Sequence, residues 1–438
     1  MLCKNSIFNV YENRDGIEYL INTLSRSVIK LVPTEAERVK QLLQNPVPMN
    51  EKEKGYVQIL IENDFLVSEE KDELAWLEYL YSKRWFDADN LYLLFLPTLK
   101  CNFICPYCFE SEKSIDMKED SLAIFIEYLK SAMKTHKSLT INFFGGEPLL
   151  KLSYIKKICK TLQRQPSAAS CKLFFQLTSN AYLLNENTIK SLLLDCGLRG
   201  FQITFDGDEV HHNQRRIMRT GMPTFSTVLS NTKALVNAVR LYNLSNVSIV
   251  VRVNYDDETL NDIEKFLDVF SDEEKKHFSI YFRHLYNTSQ WKAKVSQTLD
   301  SHTLYTLAKS RGFKLNWYDN PSYVYCECDG GQGQLTILPD LSVWKCANDH
   351  SYKDAQIGQI NSQAELVLDE YKLMRWGEKN PFKDKSCRAC KYMPLCLGSC
   401  PLTWAKQKIR NCFYDKGNLV DVLLANTTRL CTPCIKYF

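Results

Sequence analysis

The stretch Leu91-Tyr92-Leu93-Leu94-Phe95-Leu96-Pro97-Thr98-Leu99-Lys100-Cys101-Asn102-Phe103-Ile104-Cys105-Pro106-Tyr107-Cys108 decides the architecture of this chain. Its first six residues are an apolar run of strand length. The remainder, from Pro97 to Cys108, puts three thiols on one loop just past the strand end, with three and then two residues between them. That spacing lets a single loop wrap a cuboidal iron–sulfur cluster, whereas zinc sites generally take four ligands, usually as two separated pairs. Three thiolates from Cys101, Cys105 and Cys108 leave one iron of a [4Fe-4S] cluster without a protein ligand.

Downstream, apolar strand candidates recur at Leu139 to Phe144, Leu173 to Leu177, Phe201 to Phe205, Val247 to Val253 and Phe278 to Phe282. Between the first two strands lies a helix with Leu122, Phe125, Ile126, Leu129 and Met133 on one face and Asp120 or Ser121 as its cap. Pro223-Thr224-Phe225 opens another, running towards Val239. Six strands alternating with helices predict an α/β fold with a parallel sheet. Closure into a partial (β/α)6 barrel would gather chemistry at the strands' C-terminal ends.

Polar motifs fall at those ends. The second strand runs into Phe143-Phe144-Gly145-Gly146-Glu147-Pro148, where two glycines allow backbone to approach a ligand and Glu147 offers an acceptor for an ammonium group. The third ends in Thr178-Ser179-Asn180. The fourth ends in Ile203-Thr204-Phe205-Asp206-Gly207, trailed by His211-His212-Asn213-Gln214-Arg215-Arg216, which supplies guanidinium groups suited to a carboxylate. Adjacent histidines rarely share one ligand-facing side, so His211 and His212 read as surface or hydrogen-bonding residues. Arg252-Val253-Asn254 forms a further polar strand end.

Upstream, Ile7 to Val10, Ile17 to Ile21 and Val28 to Leu31 alternate as short strands. Helical patterns run from a Thr34 cap through Leu43, from Glu51 to Glu62, and from Asp72 to about Lys83. A small sheet followed by helices makes residues 1–85 a winged-helix-like module.

A chain of 438 residues that is 45% hydrophobic can bury the cores of two or three domains without covalent staples. A net charge of +4, not gathered into basic runs, gives no reason to expect nucleic acid or a membrane surface as partner. No apolar stretch reaches the roughly 20 residues of a membrane span, and the N-terminus lacks signal-peptide character, so the protein reads as cytoplasmic. In a reducing compartment, 17 cysteines point to metal coordination. Cys3, Cys159, Cys171 and Cys196 lie singly in apolar contexts and read as small buried hydrophobes. Beyond about His284 the periodicity fades into what reads as loops organised by metal. Ten cysteines crowd there: Cys326, Cys328, Cys346, Cys387, Cys390, Cys396, Cys400, Cys412 and the spare pair Cys431 and Cys434.

The loop from Cys101 to Cys108, with an aromatic before its third cysteine, resembles the signature of the radical S-adenosylmethionine superfamily. The resemblance implies that the open iron chelates S-adenosyl-L-methionine and that the reduced cluster cleaves it to methionine and a 5′-deoxyadenosyl radical. It implies that Tyr107 lies beside the adenine, that Gly145-Gly146-Glu147-Pro148 binds the cofactor's amino end, and that Arg216, helped by Ser179 or Thr204, meets its carboxylate. The C-terminal cysteines are similar to a SPASM domain carrying two auxiliary [4Fe-4S] clusters, although Leu341 stands where that motif has glycine. By that likeness Cys326, Cys328, Cys346 and Cys400 hold an inner cluster, and Cys387, Cys390, Cys396 and Cys412 an outer one. The implied domains are 1–85, a module that captures the leader of a precursor peptide by strand addition; 90–300, the radical SAM barrel; and 301–438, the SPASM domain. The implied activity is maturation of a ribosomally made peptide, with an electron donor such as a flavodoxin or ferredoxin. An anaerobic sulfatase-maturing enzyme, or a non-catalytic iron–sulfur or zinc scaffold, are the other readings.

Overall fold

Four short runs near the N-terminus form strands: β1 (Cys3–Asn5), β2 (Asn9–Arg14), β3 (Ile17–Asn22) and β4 (Val28–Leu31). Strands β2, β3 and β4 make an antiparallel sheet in that order. The tight turns between them are permitted by Gly16 (φ +75°) and by Arg26 (φ +62°). Next come helices α1 (Pro33–Gln44) and α2 (Glu51–Glu62), then β5 (Leu66–Ser68), which pairs antiparallel with β1, and α3 (Glu73–Trp85). Leu20, Ile29 and Leu31 of the sheet share one core with Val39 and Leu42 of α1 and Leu60 of α2. The expected Thr34 cap is corrected. Helix α1 starts at Pro33, whose fixed φ suits the first helical position, and its N-cap Val32 makes no side-chain bond.

The computed structural model describes residues 2–14, 16–108, 115–285, 301–315, 331–347, 352–398, 400–408 and 423–424. They divide into two compact units. Described residues of Met1–Trp85 and Glu378–Phe438 form one unit, and those of Phe86–Trp317 and Gly330–Gly377 form the other.

The second unit is built on one eleven-stranded sheet. Its successive elements are β6 (Asn90–Phe95), α4 (Glu119–Thr135), β7 (Ser138–Phe143), α5 (Leu152–Gln163), β8 (Lys172–Ser179), α6 (Glu186–Lys190), β9 (Gly200–Phe205), α7 (Glu209–Arg215), α8 (Phe225–Leu241), β10 (Ser248–Tyr255), β11 (Ser279–His284) and β12 (Lys314–Leu315). Strands β6 to β12 lie side by side in chain order and parallel. Asn90, Ser138 and Lys172 stand level in the register, so the C-terminal ends of β6, β7 and β8 come out at one edge. Phe95 stacks on Phe125 of α4 with ring centres 4.2 Å apart, which fixes the helix that the sequence pattern places over the sheet. Helix α4 begins at Glu119 after Lys118, so Asp120 and Ser121 lie inside its first turn rather than at the cap. Acidic Glu119 and Asp120 there favour the helix dipole.

The region past His284 also differs from expectation. Strands β13 (Gln334–Ile337), β14 (Ser342–Trp344), β15 (Gln356–Ile360) and β16 (Leu366–Leu368) extend the sheet. β13 lies parallel beside β6, and β14 to β16 continue as antiparallel hairpins. The turn from β13 to β14 contains Leu341 at φ +66°, so leucine adopts the left-handed conformation that glycine would take freely. Its side chain is 4% exposed. Burying a leucine contributes about 1.5–3 kcal/mol, enough to offset roughly 1–2 kcal/mol of backbone strain.

Candidate functional site

The C-terminal end of β6 leads into the cysteine loop, and three segments hold that loop in place. The first is the Gly145-Gly146 turn after β7. Gly146 N donates to Thr98 O (3.1 Å) and Glu147 N to Lys100 O (2.9 Å). A Cβ on Gly146 would sit 2.2 Å from Lys100 O, and one on Gly145 (φ +110°) 2.4 Å from Thr98 O. The two glycines therefore admit the protein's own cysteine-bearing backbone, a close approach that the sequence pattern did not reveal. The second segment is the end of β8, where Asn180 Nδ2 donates to Asn102 Oδ1 (2.8 Å). The third lies just past α7: Ile104 N donates to Ile217 O (2.9 Å), Arg219 N to Asn102 O (2.9 Å) and Arg219 Nε to Cys101 O (2.7 Å).

Donors also face the sulfur. Phe103 N donates to Cys101 Sγ at 3.4 Å, and Asn180 Nδ2 lies 3.7 Å from it. Burial pushes the Cys101 thiol up to about 11, helped by the Glu147 charge. It pushes Cys105 up to about 12, with Arg216 pulling the other way. The thiols are thus neutral at pH 7 in the bare protein, and a metal must displace their protons. Soft donors carried on one loop, with N–H groups aimed at a sulfur, suit a thiolate-bound iron–sulfur cluster.

Beside the loop lie two buried polar groups. Glu147 is fully buried and accepts from Ser179 Oγ (2.9 Å), Asn180 N (2.8 Å) and Leu149 N (3.0 Å). Burial raises its pKa against those hydrogen bonds. The other group is a network. Tyr107 Oη donates to Asp206 Oδ2 (2.6 Å) and accepts from Arg216 Nη1 (3.1 Å), while Asn254 Nδ2 donates to Asp206 Oδ1 (3.1 Å). Burial works against the Arg216 guanidinium, but Tyr107, Cys105 and Asp206 raise its pKa and keep it charged. Arg216 also lies over the Phe103 ring, 5.6 Å from its centre. Its Nε is buried and has no partner among the described residues. An orphaned guanidinium N–H beside the thiol loop fits an incoming carboxylate.

Arg215 and Arg216 point apart. Arg215 is locked to Asp256 by two 2.8 Å contacts and to Thr259 Oγ1 at 2.7 Å, leaving Arg216 to face the loop. Ser179 is occupied with Glu147, and Thr204 is a half-buried residue of β9 beside Arg252 of β10. His211 Nδ1 bonds Asp208 Oδ1, a hydrogen-bonding role as expected. His212 departs from expectation: it is fully buried between Phe205 and Phe225, and neither ring nitrogen has a partner among the described residues. Cys159, Cys171 and Cys196 are buried, but Cys159 and Cys196 share a thiol contact, and Cys3 is half-exposed. Sequence reasoning did not assign Asp206, Asn180, Asn254 or Arg219. Only their positions at strand ends, or just past the arginine pair, could have signalled them.

Of the C-terminal cysteines, Cys346 is buried at the end of β14. Cys387, Cys390, Cys396 and Cys400 lie in the other unit, the first three on successive turns. Cys390 N donates to Cys387 O (2.9 Å) and Cys396 N to Tyr392 O (3.1 Å), so each of these cysteines closes a backbone turn. Cys326, Cys328, Cys412, Cys431 and Cys434 lie outside the described residues. Among the described residues no helix is long and apolar enough to cross a membrane.

Residues 95–270 match the radical SAM superfamily. The radical SAM cyclopropyl synthase TigE of Paramaledivibacter caminithermalis is 23% identical over 359 residues, 73% of this chain and 69% of its own length. A cysteine-type anaerobic sulfatase-maturating enzyme of Clostridium perfringens is 23% identical over 335 residues, 68% of this chain and 85% of its own. The crystal structure of Streptococcus suis SuiB bound to S-adenosylmethionine superimposes with a TM-score of 0.52 at 16% identity, covering 94% of this chain and 99% of that one, a likeness of fold. Residues 95–270, which begin on the first parallel strand and carry the three-thiol loop, match a radical SAM superfamily domain, the chain is an enzyme, and the cofactors that such a domain takes are a [4Fe-4S] cluster and S-adenosyl-L-methionine.

Proposed function

We propose that this enzyme is a peptide maturase acting on a ribosomally made precursor. Cys101, Cys105 and Cys108 hold the catalytic cluster. Arg216 receives the carboxylate of S-adenosyl-L-methionine on its orphaned Nε, and Tyr107 and the Gly145-Gly146-Glu147-Pro148 turn shape the cofactor pocket, with Ser179 fastening Glu147 and Thr204 lining the strand ends. When bound, the cluster and S-adenosyl-L-methionine together supply a 5′-deoxyadenosyl radical that removes a hydrogen atom from the substrate. The protein's own work is orientation. The Gly146 and Arg219 contacts fix the loop, Asn180 and Phe103 donate toward the Cys101 sulfur, and Asp206 holds the Tyr107 hydroxyl. Residues 90–300 form the catalytic barrel. Residues 301–438 supply ligands for two auxiliary clusters, with Cys326, Cys328, Cys346 and Cys400 at one and Cys387, Cys390, Cys396 and Cys412 at the other. An auxiliary cluster would accept the surplus electron, and a flavodoxin or ferredoxin would donate the electron that reduces the catalytic cluster.

The observation that carries this reading is the module at residues 1–85. Its sheet is three strands wide, and edge strands β2 and β4 each pair on one side only among the described residues. An unpaired edge offers main-chain N–H and C=O groups to an extended peptide. The likeness to SuiB, which spans this module as well as the catalytic unit, supports a chain built for more than radical initiation.

The test is to incubate the anaerobically reconstituted, reduced enzyme with S-adenosyl-L-methionine and the peptide encoded by a short neighbouring reading frame. Release of 5′-deoxyadenosine together with loss of a hydrogen pair from the peptide is expected. Conversion of a sulfatase peptide's cysteine or serine to formylglycine, with the precursor left intact, would establish sulfatase maturation instead.

A further inference from the structure

The N-terminal module and the Cys387–Cys396 array are far apart in sequence and belong to one compact unit. Thr23 Oγ1, just past β3, donates to Lys391 O at 2.5 Å. Tyr392 Oη donates to Glu12 Oε1 of β2 at 2.7 Å. Leu395 is buried in a cluster with Ile21 and Val28 of the module sheet, and the half-buried Cys396 packs against it. Met393 and Leu397 are buried with Phe8 and with Leu77 of α3, where Cys387 and Cys390 pack against the same cluster. One face of the module is therefore completed by residues between the metal-type cysteines.

Those residues have little structure of their own. The helices that present them, Lys385–Arg388 and Met393–Cys396, are single turns of four residues. Turns that short do not persist in isolation. Leu397 and Gly398, which close the array, both sit at positive φ (+46° and +82°). Something must hold this segment in shape for it to serve as a floor for the module, and thiolate coordination at Cys387, Cys390 and Cys396 would do so by joining three successive turns through one centre.

We propose that metal bound at Cys387, Cys390 and Cys396 is the clasp of the N-terminal module, so that loading of this array and precursor capture are thermodynamically linked. The precursor arm rests on the maturase reading above; the clasp itself does not. Anything that binds only the ordered array stabilises whatever is packed on it, and by reciprocity an ordered module raises the array's affinity for metal. Zinc and an iron–sulfur cluster would both serve, and metal analysis distinguishes them.

The experiment uses the full chain, anaerobically reconstituted with iron and sulfide or loaded with zinc. Hydrogen exchange is followed by mass spectrometry over residues 2–85 and over residues 115–285. In the double variant Cys387→Ser/Cys390→Ser the array metal should be lost, with exchange within residues 2–85 at least about tenfold faster and exchange within 115–285 unchanged. A labelled precursor should bind at least about tenfold more weakly by fluorescence anisotropy. Leu77→Ala, which touches no thiol, should lower metal retention at the array under chelator challenge, and this arm stands if the double variant misfolds. Unchanged protection of residues 2–85 in a variant that has lost the metal, or undiminished metal retention in Leu77→Ala, would overturn the clasp. Failure of the wild-type protein to bind any precursor would count against the maturase reading alone, because the exchange and metal arms need no precursor.

Discussion

Gly146→Ala puts one methyl group where the Gly-Gly turn meets the cysteine loop. The new Cβ would lie 2.2 Å from Lys100 O, 2.5 Å from Lys100 C and 2.7 Å from Leu99 O. All three are backbone atoms, so no side chain can swing aside. Reaching an ordinary contact of 3.4 Å requires a separation of about 1.2 Å between the turn and the segment leading into Cys101. A shift of that size breaks the bonds from Gly146 N to Thr98 O and from Glu147 N to Lys100 O. Each loss leaves buried groups unsatisfied at about 1–3 kcal/mol, so the local cost is roughly 2–6 kcal/mol. Because Glu147 is also bonded to Ser179 and Asn180, the strain reaches the N–H group that faces the Cys101 sulfur. Iron and sulfide analysis of anaerobically reconstituted protein, with electron paramagnetic resonance of the reduced form, should show loss of the cluster proposed at Cys101, Cys105 and Cys108 while the metal proposed at the C-terminal cysteines remains. A Gly146→Ala protein with wild-type iron and wild-type thermal stability would refute the reasoning that these glycines exist for backbone approach.

Three further outcomes are expected. His212 is buried with no hydrogen-bond partner among the described residues, and burial holds its pKa well below the ordinary 6.5, so the folded state binds fewer protons than the unfolded one and stability falls as pH drops below about 6.5. Relative to His212→Phe, the wild type should lose about 1.4 kcal/mol of unfolding free energy between pH 7.5 and 5.5, measured by urea denaturation of metal-free protein; parallel pH profiles would contradict this. Tyr107→Phe removes the 2.6 Å donor to fully buried Asp206 and should cost about 1–3 kcal/mol in the same assay, together with weaker S-adenosyl-L-methionine binding by calorimetry as Arg216 reorients. Gly55→Ala, at an exposed interior position of α2 with no atom within 4 Å of the new methyl, should stabilise by about 0.5–1 kcal/mol, and a loss of stability would argue against the helix there.

Much of the fold was legible locally. The apolar run at Leu91 to Leu96 became β6, and the five strand candidates after it became β7 to β11, because each carries enough apolar residues to bury at least one face of the parallel sheet. The helix with Leu122 and Phe125 on one face became α4 over that sheet, and Glu51 to Glu62 matched α2 end for end. Helix starts were less legible. Thr34, Asp120 and Ser121 are good caps by residue type, yet the caps observed, Val32 and Lys118, lie two or three residues earlier.

By itself the sequence determined which chemistry this protein carries. Thiol spacing on one loop, the Gly-Gly-Glu-Pro turn and the paired arginines are local patterns whose meaning does not depend on distant residues. Only the tertiary structure decided what each group faces. It turned Arg215 to Asp256 and left Arg216 an orphaned N–H, aimed the two glycines at the cysteine backbone, and slid β13 in beside β6 across more than 200 residues of chain. It also packed Met393 and Leu397, from among the C-terminal cysteines, onto Phe8 and Leu77 of the N-terminal module. Such contacts depend on burial and close packing between distant segments, and residue type and periodicity do not encode which buried surfaces meet.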